Sequence, residues 1–228
     1  MKHSTPPYCC SYMETHIENA DIVTRHFPGL TPWQLEAYGR LQELYSDWNA
    51  KINVISRADT GNLYTRHVLH SLAIAAFLGP LEPGTEILDL GTGGGFPGIP
   101  LAIFYPHCRF HLVDRIGKKI RVVADIARSL GLANVTTQHG DDGECRRRFD
   151  YVVSRAVMAL PDLVRVSMRH LAHAATPRGR HAPGLVCLKG NVLAGEADGL
   201  GRPFALTPVA DYFDEPFFET KEIVYVPL

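Results

Sequence analysis

The feature that most constrains the fold of this chain is a glycine-rich segment, residues 91–98, in which five of the eight residues are glycine. It directly follows the short apolar run 86–90 and leads into a second apolar run, 99–103. In an open parallel sheet, ligands bind beyond the carboxyl ends of the strands, which is where a glycine-rich turn between a strand and a helix lies. Glycine there permits positive φ and a close approach of the backbone to that ligand. The segment therefore predicts a strand, a ligand-binding turn and a helix, with a tight turn that binds nothing as the alternative.

Beyond this glycine turn, short apolar runs of strand length alternate with helix-like runs. The predicted strands after 86–90 are 109–114, 134–138, 150–154 and 185–188, and the predicted helices are 118–130 and 163–172. Such alternation indicates a parallel sheet with helices on both faces. The run 217–226 is strand-rich and contains no helix, which predicts an antiparallel finish to a mostly parallel α/β sheet.

The first third of the chain is predicted to be helical. The segment Thr31–Gln34 has the pattern of an N-cap, a proline at the first helical position and a capping-box glutamine. Apolar residues then recur at three- and four-residue steps, as in an amphipathic helix: Leu35, Tyr38, Leu41, Leu44, Tyr45 and Trp48. A second helix is predicted from about 59 to 78, ending before Gly79. The predicted organisation is a variable leader at 1–16, an N-terminal helical cap at 17–82 and the α/β domain at 83–228.

Composition excludes several classes of protein. Hydrophobic residues make up 46% of the chain and charged residues 21%, and no apolar run approaches the roughly 20 residues of a membrane span. The first residues lack the apolar stretch of a signal peptide. The five cysteines form no C-x-x-C pair and no zinc-type cluster with histidine. These features predict a cytoplasmic protein with no membrane association, disulfide or metal, and the absence of an apolar seam predicts a monomer.

The charge balance bears on whether the partner is a nucleic acid. The chain has 23 Lys+Arg against 24 Asp+Glu, a formal net charge of −1, whereas phosphate binding normally rests on a basic surface. If RNA is the partner, positive charge must therefore be concentrated locally. The run of three arginines at 146–148 is one candidate for RNA contact, and a solvated loop is the alternative.

The identity of the ligand depends on the residues around the turn. The segment 93–98 matches the G-x-G-x-x-G of dinucleotide folds, but Pro97 lies where the pyrophosphate-binding helix would open, and Asp89 precedes the turn. Asp114 follows about 20 residues later at the end of the next predicted strand, where a carboxylate can accept hydrogen bonds from both ribose hydroxyls; a helix N-cap is its alternative role. The order apolar-Asp-apolar-Gly-x-Gly-x-Gly instead resembles the first motif of class I methyltransferases, whose loop packs against the methionine part of S-adenosylmethionine.

Six short motifs follow one another along the chain: Asp47–Asn53, Arg66–Ser71, the glycine turn with 96–100, Asp114 with 117–119, 153–156 and 188–190. Together they resemble the bacterial small-subunit ribosomal RNA guanine-N7 methyltransferase family, known as RsmG or GidB, from about residue 30 to the end. The resemblance implies a Rossmann-like class I methyltransferase sheet that uses S-adenosylmethionine to methylate N7 of one guanine in 16S ribosomal RNA or the small ribosomal subunit.

The motif and the resemblance together supply the candidate cofactor contacts. The motif indicates Gly93, Gly95 and Asp114. The resemblance adds Gly91, Phe96, Asp142, Gly143 and Arg155, with 142–143 lining the adenine largely through backbone groups. This chain departs from many relatives at three places: His70 stands where they have an acidic residue, 140–144 lacks their arginine and first glutamate, and the tail at 221–226 is less basic.

The substrate contacts and the mechanism follow from the chemistry of the base. Guanine N7 has a free in-plane lone pair and no proton to lose, so no catalytic base is predicted, and the reaction is a direct in-line displacement promoted by positioning. Polar side chains of the cap and of two strand ends are candidate RNA contacts, with a solvated loop as the alternative for the first three: Asn49, Lys51, Asn53, Arg66, His67, Arg155 and Lys189. Two other functions stay open, a methyltransferase acting on a small molecule or protein, and a nicotinamide-dependent oxidoreductase.

Overall fold

The computed structural model describes residues 19–228 except 57–58, 156–157, 173–177 and 191–199. The predicted leader at 1–16 lies outside these residues. The N-terminal region forms helices α1 (Asp21–His26), α2 (Pro32–Asn49) and α3 (His70–Leu78). A short 3-10 turn, Thr60–Asn62, and a π-helical turn, Tyr64–Leu69, lead directly into α3, so the predicted second helix has an irregular first half.

The capping box predicted for α2 is confirmed and has a second role. The Thr31 side chain accepts a hydrogen bond from the Gln34 backbone, and the Gln34 side chain accepts one from the Thr31 backbone. The Gln34 amide also donates to the carbonyls of Ile103 and Phe104, each at 3.0 Å. Since these carbonyls end the helix α4 (Gly98–Phe104), the start of α2 is fastened to the α/β region. Leu35, predicted to be part of the apolar stripe, is instead 39% exposed.

Seven strands form one sheet: β1 (Glu86–Leu90), β2 (Arg109–Asp114), β3 (Val135–His139), β4 (Tyr151–Arg155), β5 (Gly184–Gly190), β6 (Ala205–Pro208) and β7 (Lys221–Pro227). Their order is β3-β2-β1-β4-β5-β7-β6. The pairs among β1 to β5 are parallel, and β7 runs antiparallel to both β5 and β6. The predicted mostly parallel sheet with an antiparallel finish is confirmed.

Two further helices, α5 (Gly117–Ser129) and α6 (Leu160–Met168), cover the sheet. The helix predicted at 163–172 begins earlier, at Leu160, with Pro161 in its first turn, and it ends earlier, at Met168. Past its end, Leu171 bridges Phe149 in a parallel arrangement, so the chain there is extended. Strand β6 was not predicted, because its four residues carry no alternation of buried and exposed side chains.

The helical cap and the sheet share one hydrophobic cluster, in which Tyr38 and Leu41 of α2 belong with Ile87 and Phe110 of the sheet. The boundary near residue 82 is therefore a change of secondary structure inside a continuous core, and the division into two domains stays a prediction. Among the described residues, every helix is too short or too polar to traverse a bilayer.

Candidate active site

A cavity of ≈ 630 Å³ lies at the carboxyl edge of the sheet, where β1, β2 and β4 end. The order of the sheet explains its position: β1 pairs with β2 on one side and with β4 on the other, and the loops that leave these strands diverge there. The cavity is lined by 90–94, 113–116, 140–141, Val54, Phe96, Lys119, Arg155 and Met158.

The glycine turn forms one wall and requires glycine for two different reasons. Gly91, Gly93 and Gly95 have φ of 70°, 59° and 98°, conformations that other residues rarely adopt. Gly98 is needed for space, since a Cβ there would lie 2.6 Å from Asp89 Oδ2 and 2.8 Å from the Leu112 side chain. The turn is thus a closely packed loop whose backbone, with no side chain in the way, faces the cavity.

The Asp89 side chain connects the two ends of the glycine turn through hydrogen bonds. Its Oδ2 accepts hydrogen bonds from the Thr92 hydroxyl at 2.6 Å and from the Gly98 N–H at 2.8 Å. The side chain is fully buried, and burial raises the pKa of Asp89 to about 7, partly offset by those two hydrogen bonds. Sequence reasoning used Asp89 only to distinguish two cofactor motifs, and its bonds across the turn are visible only in the structure.

Asp114 and its surroundings fit the nucleoside part of the predicted cofactor. Its Oδ2 accepts a hydrogen bond from the Gly93 N–H and its Oδ1 accepts one from the Ile116 N–H, both at 2.8 Å. A carboxylate oxygen can accept more than one hydrogen bond, so each oxygen retains capacity for one hydroxyl of a vicinal diol. Ile116 also lines the cavity and is 41% exposed, which offers an apolar surface to a base.

Arg155 closes the cavity from the β4 side and joins it to the cap. Its guanidinium donates to the Arg66 carbonyl at 3.1 Å and to His67 Nδ1 at 2.8 Å. It also lies 5.2 Å from the centre of the Phe96 ring, at cation–π distance. Burial lowers the pKa of Arg155 to about 10, with Asp89 acting in the opposite direction, so the guanidinium remains charged near neutral pH.

His67 is held in the neutral form. Burial, and then the charge of Arg155, lower its pKa to about 3. A guanidinium can only donate, so Nδ1 is the acceptor in this pair and the single imidazole proton lies on Nε2. That proton points into a buried region with no hydrogen-bond partner among the described residues; the nearest carboxylate oxygen, on Asp59, is 4.0 Å away.

The loop after α2 forms the cap side of the rim, and Asn49 organises it. The Asn49 amide donates to the Ile55 carbonyl and to the Thr60 hydroxyl, and its oxygen accepts from the Val54 and Ile55 N–H groups. These four bonds engage the side chain within the protein, so Asn49 shapes the loop. Lys51 and Asn53 on that loop are exposed, and the Lys51 amine lies 5.1 Å from the Trp48 ring centre.

Of the remaining predicted site residues, Arg66, Gly143 and Lys189 do not line the cavity themselves. Lys189 donates to the carbonyl of Met158, a lining residue, at 2.9 Å. Arg66 is half-exposed and pairs with Asp59 at 2.7 Å. Asp142 and Gly143 follow Gly140–Asp141 in a 3-10 turn, and Gly143 borders a separate depression. His70 is buried next to the rings of Phe217 and Phe218, and burial lowers its pKa.

Tyr45 is a residue that sequence reasoning assigned only to the core of the cap. Its hydroxyl donates to the Gly94 carbonyl at 2.7 Å, and its ring stacks on Phe96 with centroids 4.8 Å apart. A Cβ on Gly95 would lie 3.1 Å from the same hydroxyl. The helical stripe predicted that Tyr45 is buried but gave no indication that it touches the glycine turn.

A comparison with protein families matches residues 34–202 to a family described as rRNA small subunit methyltransferase G, GidB. A relative from Bacteroides thetaiotaomicron, named Ribosomal RNA small subunit methyltransferase G, is 49% identical over 90% of this chain and 98% of its own length. A relative of the same name from Parabacteroides distasonis is 51% identical over 91% of this chain and 89% of its own length.

Solved structures share the fold at low sequence identity. A mutant of MtNAS in complex with S-adenosylmethionine has a TM-score of 0.54 at 16% identity, covering 86% of this chain and 72% of that one. Fibrillarin from Aeropyrum pernix, with natively bound S-adenosyl-L-methionine, has a TM-score of 0.50 at 16% identity, covering 68% and 73%. Both likenesses concern the fold.

Proposed function

The chain belongs to the rRNA small subunit methyltransferase G family, and from this premise we propose that it transfers a methyl group from S-adenosylmethionine to N7 of one guanine in 16S ribosomal RNA. The methyl donor is S-adenosylmethionine, whose sulfonium supplies an electrophilic methyl group. The enzyme acts as a monomer, in the cytoplasm, where small ribosomal subunits are made. The chemistry of the cavity supports the assignments of methyl donor and target atom; the monomer and the cytoplasmic location rest on the sequence features given above.

The observation that carries the assignment to N7 is the lack of a base. Among the described residues that line the cavity there is no His, Cys or Tyr. Of the two lining carboxylates, Asp114 accepts two backbone N–H groups, and its remaining capacity suits the ribose diol; Asp141 pairs with Arg115 at 3.7 Å. His67 beside the turn offers its acceptor nitrogen to Arg155. A wall without a base suits N7, an acceptor with no proton to remove, better than an exocyclic amine or a ribose hydroxyl.

With no proton to transfer, the residues of this chain act by positioning. The two oxygens of Asp114 would hold the ribose diol, and the backbone of the glycine turn would hold the methionine part. Phe96 keeps a rigid orientation between Tyr45 and the Arg155 guanidinium. Alignment of an attacking lone pair with a carbon centre can contribute roughly 7–11 kcal/mol to lowering the barrier. When bound, S-adenosylmethionine would supply its methyl carbon to the N7 lone pair, and the electron pair of the broken S–C bond would stay on sulfur.

Around the cavity, Lys51, Asn53 and Arg66 present polar side chains on the cap side, and Lys189 lies on the opposite side next to Met158. The cations among them, Lys51, Arg66 and Lys189, are suited to phosphates that flank the target base, because phosphate contacts position a nucleic acid without reading its sequence. They form the substrate-binding rim of the proposed enzyme.

The test is methyl transfer from labelled S-adenosylmethionine to small ribosomal subunits that lack the native modification, followed by nuclease digestion and nucleoside mass spectrometry. The expected product is 7-methylguanosine. A label on an exocyclic amine or on a ribose oxygen would disprove the N7 assignment. Loss of all RNA labelling, with S-adenosylmethionine still bound, would move the substrate to a small molecule or a protein.

A pair of variants connects that activity to the cavity. Gly93→Asp adds a bulky charge to a residue with φ of 59° in the cavity wall, and we expect it to abolish both S-adenosylmethionine binding and methyl transfer. Gly29→Asp adds the same charge at an exposed glycine with nothing within 4 Å of its Cβ position, and it is expected to bind and react as the wild type does. Tight binding retained by Gly93→Asp would contradict the placement of the cofactor.

A further inference from the structure

Five arginines gather at the edge of the sheet opposite the cavity. Glu86 and Arg109 begin strands β1 and β2, and the segment 146–148 precedes β4, so these residues lie at the amino edge. Arg169 joins them because Leu171, two residues later, bridges Phe149. The arginine patch is defined here as Arg109, Arg146, Arg147, Arg148 and Arg169. Since β1 is five residues long, roughly 16 Å separates this edge from the cavity.

One half-buried carboxylate organises the patch. Glu86 accepts from Arg109 at 3.0 Å through Oε1 and from Arg147 at 2.7 Å through Oε2. The Arg147 guanidinium also lies 5.3 Å from the centre of the Phe149 ring. Glu86 is thus shared by two arginines, and Arg147 is held in place by an ion pair and an aromatic ring.

Arg146 and Arg148 flank this anchored residue and are available to a ligand. Both side chains are exposed, and within the described part of the chain neither forms an ion pair. The two nearest acids along the chain have backbone partners: Glu144 accepts a hydrogen bond from the Asp141 N–H at 3.1 Å, and Asp150 accepts one from the Glu86 N–H at 2.8 Å. The local excess of positive charge is therefore not neutralised by the protein.

The patch borders a depression of ≈ 260 Å³, which is lined by Gly143, Cys145, Arg146, Arg147, Arg148, Arg169 and His170. Guanidinium groups arranged around a shallow opening suit phosphate oxygens, which they bind with paired N–H donors. The formal net charge of the chain is only −1, so this concentration of arginine is a local feature and does not reflect a generally basic protein. A polyanion is the kind of partner that fits.

We propose that the arginine patch binds backbone phosphates of a second segment of small-subunit ribosomal RNA, distinct from the segment that carries the target guanine. The inference rests on the proposed function for the identity of the RNA. Because the patch and the cavity lie at opposite edges of the sheet, an RNA that contacts both must extend beyond the nucleotides that flank the guanine, and a folded ribosomal RNA presents several segments that can do so. The patch is therefore expected to increase the affinity of the enzyme for folded 16S ribosomal RNA more than its affinity for a short RNA around the guanine.

The test uses the double variant Arg146→Glu/Arg148→Glu, which leaves the Arg147–Glu86 ion pair intact. Binding to deproteinised 16S ribosomal RNA is measured by filter retention over a range of salt. We expect at least a 10-fold loss of affinity and a salt slope that is shallower by about 0.7–0.9 for each phosphate that the variant no longer binds. KM for methylation of small subunits should rise by a similar factor with kcat unchanged. KM for a short target stem-loop and the Kd for S-adenosylmethionine should not change.

The matched control is Arg40→Glu/Arg202→Glu, which makes the same change in net charge at two exposed arginines of α2 and of the segment before β6. Equal behaviour of the two double variants would overturn the proposal, as would an equal rise of KM on the short stem-loop. A loss confined to whole subunits, with binding to naked RNA intact, would assign the patch to a ribosomal protein instead. Filter retention needs no methylation, so failure of the N7 assignment would be detected separately.

Discussion

At the scale of single residues, the contact between Arg155 and His67 joins the α/β sheet to the helical cap. The two residues are 88 positions apart in the chain, and their side chains meet directly behind Phe96, with ring contacts at 5.0 and 5.2 Å. A charged imidazole could not accept from a guanidinium, so this contact exists only while His67 is neutral. The pair therefore makes stability depend on pH.

We expect the free energy of unfolding to fall as the pH drops from 7 to 5, and to fall less in His67→Gln. The folded pKa of His67 is about 3 and its unfolded pKa is about 6.5. Between these values the unfolded chain binds a proton that the folded chain does not, so acid favours unfolding. Glutamine can still accept from Arg155 but does not titrate, and the decrease in its stability over this pH range should be smaller by about 1–2 kcal/mol.

Urea unfolding of both proteins at pH 5 and pH 7 measures this difference. The pKa of His70 is also lowered, but that residue is present in both proteins, so its contribution cancels. The same pH dependence in wild type and variant would show that His67 is not held neutral in the folded protein.

Gly98→Ala should destabilise the protein by about 1–3 kcal/mol, the usual cost of overpacking, and weaken the binding of S-adenosylmethionine. The new methyl group would lie 2.6 Å from Asp89 Oδ2 and would displace the hydrogen bonds that close the turn. Thermal unfolding and calorimetric titration measure the two effects.

Gly39→Ala is the control variant. Gly39 lies exposed inside α2 with open space at its Cβ position, and alanine there should stabilise the protein by about 0.5–1 kcal/mol. Unchanged affinity for S-adenosylmethionine in Gly98→Ala would contradict the role assigned to Asp89, which is to stabilise the glycine turn through its hydrogen bonds to Thr92 and Gly98.

At the scale of elements, α2 connects the cap to α4, the helix that follows the glycine turn. Gln34 caps α2 and bonds the last carbonyls of α4, and the Tyr38 hydroxyl donates to the Pro100 carbonyl at 2.9 Å. Farther along α2, Trp48 donates to Asp125 of α5 at 2.9 Å. One helix of the cap thus touches both helices that flank the cofactor cavity.

Gln34→Ala should destabilise the protein by about 1–3 kcal/mol, since it removes the capping bond and leaves two carbonyls of α4 without their donor. Glu43→Ala in the same helix is the control: Glu43 is exposed, and its removal should change stability by no more than about 0.5 kcal/mol. Denaturant unfolding of both variants measures the difference. Equal stability of the two would mean that the bonds from Gln34 to α4 contribute nothing.

At the scale of the whole molecule, the cap and the sheet should unfold together. The two tryptophans, Trp33 and Trp48, both lie in α2, so tryptophan fluorescence reports on the cap, while far-ultraviolet circular dichroism reports on the whole chain. Because one hydrophobic cluster spans both regions, we expect the two transitions in urea to coincide. A fluorescence transition at lower urea would show that the cap at 17–82 is an independent unit.

Much of this architecture follows from the sequence by itself. The glycine turn after β1, the acid at the end of β2, the capping box at Thr31 and the alternation of strands and helices are local patterns. Each depends on residues within about 20 positions of one another, so each predicts its own element. Together with the ordered motifs they identified the family and the fold, and both predictions are confirmed by the comparisons and by the sheet order.

Other features were decided only by tertiary structure. Three sets of contacts join residues that are distant in the chain. They are the pair Arg155–His67, the bonds from Gln34 to α4 and from Tyr45 to the glycine turn, and the ion pairs of Glu86 with Arg109 and Arg147. Sequence spacing does not specify such contacts, because they depend on strand order and register. Asn49 shows what sequence alone does not determine. Its position in the chain suits a polar rim, but in the folded loop both its amide nitrogen and its amide oxygen form hydrogen bonds within the protein, since buried backbone groups there need partners.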